Sequence, residues 1–129
     1  MAQHLGLVAL VVPDYDEALA YYVDRLGFER VEDTDLGAGK RWVVARPPGR
    51  PQTAVLLARA VDDRQAAAIG AQGGGRVFLF LHTDDFERDH AAFVARGVTF
   101  EGAPRREAYG MVAVFRDLYG NRWDLIQPA

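Results

Sequence analysis

The sequence contains no cysteine and no serine. Without cysteine there can be no disulfide bond, no thiolate metal ligand and no cysteine nucleophile, and without serine there can be no serine nucleophile. The glycine triplet at residues 73–75 is not followed by the Lys-Ser/Thr pair of a phosphate-binding loop, and no GxGxxG motif opens a helix. Candidate chemical groups must therefore be sought among the histidines and carboxylates.

Long apolar stretches and an excess of positive charge are also missing. The longest apolar run, residues 5–12, has eight residues, whereas a membrane-spanning helix needs about 20. No Lys or Arg precedes this run and no small-residue cleavage site follows it, so we expect no signal peptide and a cytoplasmic protein. The net charge of -3 provides no basic surface, and we expect neither nucleic acid nor a membrane as a partner.

The first half of the chain has the pattern of one strand, one helix and three further strands. Residues 5–12 are apolar at both alternating sets of positions, which predicts a strand covered on both faces. Asp14 with Glu17 three positions later predicts a helix start, and an apolar stripe continues to Leu26 before Gly27 ends the helix. The three strands that follow are predicted at residues 28–32, 41–45 and 53–58.

The second half repeats this pattern. A strand is predicted at residues 77–82, and Asp84 and Asp85 open a helix that ends at Gly97. Further strands are predicted at residues 98–101, 111–116 and 123–127.

A shift of 71 residues lays Tyr15 on Phe86 and Tyr22 on Phe93, which indicates an internal duplication. We therefore predict an α+β fold of two βαβββ modules around a curved central cleft, because one helix cannot fully cover the sheet of its module. The predicted organisation is a single domain over residues 1–129, made of module 1 (residues 5–60), a linker (residues 61–76) and module 2 (residues 77–128).

Three segments resemble the vicinal oxygen chelate superfamily, which includes glyoxalase I, bleomycin-resistance proteins, fosfomycin-resistance thiol transferases and extradiol dioxygenases. They are VALVVPDYDEALAYYVDRLGF, HTDDFERDHAAFVARGV and FRDLYGNRWDLIQP, and the resemblance spans residues 5–128. It implies that the two βαβββ modules pair to form a U-shaped cleft, usually in a homodimer. It also implies one divalent metal held by His, Glu or Gln side chains from the first and last strands of the modules.

The metal-ligand positions implied by the resemblance are mostly apolar here. They hold Leu7, Phe78, Asp124 and one of Ala54, Val55 and Leu56. Only Asp124 can bind a metal, and one carboxylate holds a catalytic divalent ion poorly. We therefore predict no cofactor and no metal site of the usual kind, the alternative being one divalent metal held by an atypical set of ligands.

Asp124 and His82 are the candidate catalytic residues. Asp124 stands between two apolar residues that pack under the helix, so its side chain is expected on the cleft face, as a base, a hydrogen-bond acceptor or the partner of Arg122. Alternation places His82 on one strand face with Phe78 and Phe80, where it would serve acid–base chemistry or ligand binding. The alternative is that Asp84-Asp85 satisfies His82 at the strand end. Of the other histidines, His4 is expected to be solvated and His90 to pack at the edge of the helix–sheet interface.

The predicted ligand-binding cleft is apolar and aromatic. Its members are Leu7, Ala9, Phe78, Phe80, His82, Asp124, Met111 and Phe115. The pattern does not fix which way Met111, Phe115, Trp42 and Tyr109 face, and these aromatics alternatively fill a core.

Two classes of function follow. The first is a small-molecule-binding protein, similar to glyoxalase and bleomycin-resistance proteins, that encloses an apolar or aromatic ligand without the usual metal site. The second is an enzyme, resembling a lactoylglutathione lyase or a ring-cleaving dioxygenase, that uses an atypical metal site or none. The residues at Leu7 and Phe78 favour the first.

Overall fold

The chain forms two compact units with the same organisation. The computed structural model describes every residue from Met1 to Ala129, and the units comprise Met1–Ile69 and Gly70–Ala129. Their boundary falls inside the stretch predicted as a linker, residues 61–76. Each unit contains one four-stranded mixed sheet with a helix after its first strand, which confirms the prediction of two βαβββ modules.

Module 1 is built on the sheet order β1-β4-β3-β2, in which β1 runs parallel to β4 and the other neighbours are antiparallel. Its strands are β1 (Leu7–Val12), β2 (Glu29–Gly37), β3 (Lys40–Arg46) and β4 (Ala54–Arg59). Its helices are α1 (Tyr15–Ala20), which continues as a π-helical turn over Tyr21–Arg25, and the short α2 (Asp63–Ala68).

Helix α1 begins where the capping residues predicted it. The Asp14 side chain accepts a hydrogen bond from the backbone N–H of Glu17 at 2.8 Å, which satisfies one of the free donors of the first turn. The π-helical turn was not predicted. It ends at Arg25, and Gly27, with a positive φ of 74°, follows at the predicted end of the helix.

Strand β1 is covered on one face only, so the prediction of burial on both faces was wrong. Leu10 and Val12 are buried on the face that packs under α1. Leu7 and Ala9 alternate with them and are exposed, because the helix of a βαβββ module covers a single face of its sheet.

Module 2 repeats the plan with the sheet order β5-β8-β7-β6. Its elements are β5 (Val77–His82), α3 (Phe86–Ala95), β6 (Thr99–Glu107), β7 (Gly110–Arg116) and β8 (Arg122–Pro128). The core under α3 is aromatic: Phe115 is fully buried, stacks on Trp123 at 5.7 Å and meets the edge of Phe93 at 5.4 Å between ring centroids. No helix of the chain is both long and apolar enough to cross a membrane.

Candidate functional site

Asp124 is a buried carboxylate without a hydrogen-bonding partner at one of its oxygens. It lies in the middle of β8, where the residue is only 7% exposed and Oδ1 is buried without a hydrogen-bond donor. Burial raises the pKa of this carboxyl, while the positive charges of Arg105 and Arg122 act in the opposite direction. A buried, unpartnered oxygen with a raised pKa is an unusual feature that marks Asp124 as a site candidate.

Asp124 is not the ion-pair partner of Arg122, and this alternative was wrong. The Arg122 guanidinium donates from Nε and Nη2 to the two carboxylate oxygens of Glu101, both at 3.0 Å, and its Nη1 donates to the Gly75 carbonyl oxygen at 3.0 Å. Arg116 donates to the same carboxylate at 2.7 Å. These hydrogen bonds hold the pKa of Glu101 below its usual value, so Arg122 is engaged elsewhere.

Phe80 is the register partner of Asp124 on the neighbouring strand β5. Paired residues of adjacent strands lie on the same face of a sheet, so the phenyl ring and the carboxylate share one face. Phe80 is 59% exposed. The site therefore combines an open aromatic surface with a desolvated carboxylate beside it.

His82 lies on the same face, as register partner of Ile126, and it is exposed. The expected alternative, in which the following aspartates satisfy it, is wrong: Asp84 pairs with Arg88 at 2.9 Å, and Asp85 caps α3 by accepting from the Arg88 N–H. His82 and Asp124 form no hydrogen bond with each other, so they are not coupled as an acid–base pair.

The two modules can be matched through their strand registers. In module 2, Asp124 is paired with Phe80 on one side and with Val114 on the other. In module 1, the same place between β1 and β3 is taken by Leu56, which is paired with Ala9 and Val44.

This register leaves Leu56 as the module 1 counterpart of Asp124 among the three candidates Ala54, Val55 and Leu56. Val55 lies on the opposite face and is buried.

Comparison with known proteins identifies the family. A model of the Glyoxalase/Bleomycin resistance protein/Dioxygenase superfamily matches residues 4–125. The chain belongs to this superfamily. An uncharacterised protein from Shewanella frigidimarina is 52% identical over 128 residues, which are 98% of this chain and 95% of that protein.

Two solved structures are similar to this chain in both sequence and fold. TnmS3, an antibiotic-binding protein from Streptomyces sp. CB03234, is 30% identical with a TM-score of 0.81, covering 99% of this chain and 98% of that one. UcmS2 is 29% identical with a TM-score of 0.84, covering 98% of both chains.

The superfamily's metal requirement does not fit the side chains present. Of the four positions to which the resemblance assigns ligands, Leu7, Leu56 and Phe78 carry no donor atom, and only Asp124 does. No group of three or more His, Asp or Glu side chains in the structure is placed to hold a metal ion. A divalent cation needs several such ligands, so no chemical step is derived through a metal.

The remaining predicted site residues divide between the two faces of the module 2 sheet. Phe115 lies in the core on the helix side, and Met111 shares its face by alternation, so neither lies beside Asp124. Tyr109 is exposed in the β6–β7 turn, where its hydroxyl meets Arg105 at 3.5 Å. The other histidines are as expected: His4 is exposed, and the His90 ring packs between Phe86 and Phe100.

The sequence did not indicate the part played by Glu101. Its carboxylate accepts hydrogen bonds from Arg116 and Arg122, and Glu101, Arg116 and Arg122 belong to strands β6, β7 and β8. No local spacing signals such a cluster, since Glu101 and Arg122 are brought together only by the pairing of β6 with β7 and of β7 with β8.

Proposed function

We propose that this superfamily member is a small-molecule-binding protein that encloses an apolar or aromatic ligand without the superfamily's usual metal site. The observation that carries the proposal is the set of apolar residues at three of the four ligand positions: Leu7, Leu56 and Phe78. A Lewis-acid site needs oxygen or nitrogen donors there, whereas an apolar ligand needs hydrophobic contact.

The exposed residues on the sheet faces support the same proposal. Leu7 is 41% exposed, and Phe80 is 59% exposed next to the buried carboxylate of Asp124. Covering a phenylalanine or leucine side chain with a ligand is worth about 2 kcal/mol for each side chain. One polar group within an apolar surface is the usual means by which a small-molecule site orients its ligand. We assign this role to Asp124.

The antibiotic-binding function of TnmS3 supports a ligand of this chemical class. The likeness spans nearly the whole of both chains at 30% identity. A glyoxalase fold of this size therefore serves antibiotic binding in a relative, and we propose a comparable ligand class here: a flat or largely apolar small molecule.

The test is calorimetric titration of EDTA-treated protein with a panel of bleomycin and polycyclic aromatic antibiotics. For the ligand that binds, Phe80→Ala should weaken affinity about tenfold or more, because it removes exposed aromatic surface from the site. Leu118→Ala is the matched control, since Leu118 is an exposed apolar residue in the loop before β8 and should leave affinity unchanged. Equal affinities of the wild type and Phe80→Ala for every ligand bound would overturn the proposed site.

A metal-free enzyme is the second candidate, and the raised pKa and unpartnered Oδ1 of Asp124 are what favour it. In that case Asp124 acts as a general base on a bound substrate. Lyase and ring-cleavage assays with Asp124→Asn test this candidate. Turnover in the wild type that the substitution abolishes would replace the binding function with a catalytic one.

Homodimerisation and a cytoplasmic location remain predictions drawn from the resemblance and the sequence. Light scattering after size-exclusion chromatography at micromolar concentration tests the first. A mass of one chain would remove the dimer, whereas twice that mass would support it.

A further inference from the structure

Strands β3 and β4 of module 1 separate where their counterparts in module 2 remain paired. The pairing in module 1 runs only from Val43–Leu57 to Ala45–Val55. In module 2, β7 and β8 pair over seven positions, through to the last residues of the sheet. The start of β3 and the end of β4 therefore leave a gap.

Tyr15 lies at this gap and contacts both strands. Its hydroxyl accepts a hydrogen bond from the backbone N–H of Arg41 at 3.2 Å, so that strand donor is satisfied by a side chain rather than by β4. The guanidinium groups of Arg41 and Arg59 lie 5.2 and 5.3 Å from the centroid of the Tyr15 ring. The equivalent first helical residue of module 2 is Phe86, which has no hydroxyl.

The gap forms a pocket of about 310 Å³ whose lining residues all belong to the first compact unit, Met1–Ile69. This volume lies at the lower end of the range of small-ligand sites, roughly 300–1,000 Å³. Aliphatic residues of β4 line part of it, and Tyr15 and Trp42 add aromatic surface. The basic residues Lys40, Arg41 and Arg59 also line the pocket, together with Ala38 and Val61, and no carboxylate belongs to the lining.

Two of the three positive charges are not neutralised by the protein. Arg41 is paired with Asp33 at 2.7 Å and with Asp16 at 2.9 Å, so its charge is compensated. Lys40 and Arg59 form no salt bridge, and the Arg59 guanidinium lies beside the Tyr15 ring and close to Gly39. A pocket with two uncompensated cations and aromatic walls complements a ligand that has both a negative charge and a flat ring.

We propose that this pocket is a second binding site, specific for a small planar aromatic carboxylate. The carboxylate would be bound by Lys40 and Arg59, and the ring would lie against Trp42. A guanidinium binds a carboxylate through two parallel hydrogen bonds, and Arg59 is the lining arginine with its donors available for this. The site goes beyond the proposed function, because it binds a negative charge through Lys40 and Arg59 and uses neither Phe80 nor Asp124. It shares only Leu56 with the residues proposed to bind the apolar ligand.

The first test compares two probes of the same shape by calorimetric titration, 2-naphthoate and the uncharged 2-naphthamide. The wild type should bind the carboxylate at least about tenfold more tightly, and Arg59→Gln and Lys40→Gln should each remove most of that difference. Arg64→Gln is the control, since Arg64 is exposed on α2 and does not line the pocket. Melting temperatures of the variants verify that each is folded.

The second test locates the bound carboxylate. Lys40 is the only lysine in the sequence, so reductive dimethylation with ¹³C-formaldehyde labels Lys40 and the amino terminus alone. The Lys40 methyl signal should shift on addition of 2-naphthoate and saturate at the calorimetric Kd. An unchanged Lys40 signal, absence of naphthoate binding, or equal affinity for 2-naphthamide would each overturn the proposal.

Phe80→Ala separates this site from the proposed function. The variant should bind 2-naphthoate with wild-type affinity while it loses affinity for the apolar ligand. Loss of naphthoate binding in Phe80→Ala would contradict a separate site. The second site predicts that Arg59→Gln loses naphthoate binding and keeps its affinity for the antibiotic.

Discussion

The Tyr15 hydroxyl accepts a hydrogen bond from the Arg41 backbone N–H at 3.2 Å, a contact that the second half of the duplicated chain cannot form. The corresponding Phe86 of module 2 has no hydroxyl, and there the equivalent strands pair to their ends. The module with the tyrosine hydroxyl thus has shortened strand pairing and a charged pocket, whereas the module with phenylalanine has fully paired strands.

Tyr15→Phe should destabilise the protein by about 1–2 kcal/mol, because it leaves the partly buried Arg41 N–H without its acceptor. Tyr109→Phe is the control, since the Tyr109 hydroxyl is exposed at the sheet edge and its removal should change little. Urea unfolding measures both free energies, and hydrogen exchange of the Arg41 amide should quicken in Tyr15→Phe. Equal stability of the two variants would show that the Tyr15 hydroxyl is not needed.

Asp124→Asn should raise the melting temperature at pH 7. The folded-state pKa of Asp124 is raised above its usual value of 3.8, so between the two pKa values the folded protein holds a proton that the unfolded chain has released. Stability from this group is therefore highest at low pH and falls as pH rises through the folded-state pKa. The advantage of Asp124→Asn should shrink as pH is lowered toward 4.

Thermal melts between pH 4 and 8 measure this dependence, with Asp63→Asn, an exposed residue of α2, as the control. A destabilised Asp124→Asn protein at pH 7 would show that the ionised carboxylate has a favourable partner. That result would contradict the assignment of Asp124 as an unpartnered carboxylate that is available to orient a ligand.

Glu101→Gln should have the opposite effect. Arg122 and Arg116 hold the pKa of Glu101 below its usual 4.5, so its stabilising effect is present above that pH and is lost as pH falls through the folded-state pKa. We expect a loss of about 1 kcal/mol at pH 7, since the carboxylate is only partly exposed, and little difference in acid.

Glu107→Gln is the matched control for Glu101→Gln, because Glu107 forms an exposed pair with Arg105 and should contribute within about 0.5 kcal/mol. Urea unfolding at pH 7 and pH 4 compares the two variants. A Glu101→Gln effect that is the same at both values of pH would contradict an ionic contribution.

Gly70→Ala and Gly74→Ala separate steric overlap from backbone strain. Both glycines have positive φ, 72° and 63°, so each substitution costs about 1 kcal/mol for the conformation alone. A Cβ at Gly70 would overlap the Tyr119 carbonyl oxygen, whereas a Cβ at Gly74 meets nothing. In urea unfolding, Gly70→Ala should lose about 2 kcal/mol more stability than Gly74→Ala. Equal losses in the two variants would contradict the close approach of Gly70 to the Tyr119 carbonyl oxygen.

The sequence pattern predicted the elements well where apolar residues alternate or repeat. Strand β5 has the predicted bounds, and α3 lies where its cap and stripe placed it. The edge strand β2 is longer than predicted because all nine of its residues are exposed and carry no apolar alternation. Its extent is determined by pairing with β3, a partner that local patterns do not identify.

The candidate site was predictable to the extent that it depends on alternation along one strand. Alternation predicted that the Asp124 side chain lies on the sheet face opposite to Trp123 and Leu125, and the structure places it there. The orientation of Phe115 depends on the register between β7 and β8, which no single-strand pattern determines. For the same reason the Glu101 cluster and the gap at Tyr15 became visible only in three dimensions.

The most direct test of the central claim is a thermal-shift series on EDTA-stripped protein. Divalent Mn, Fe, Co, Ni and Zn are added in one arm, and the antibiotic panel is added in the other. A ligand that binds the native state raises the melting temperature by mass action, so metal-independent binding predicts a saturable rise with an aromatic antibiotic and none with any metal. A saturable rise with one metal, together with about one metal ion per chain in the purified protein, would contradict it.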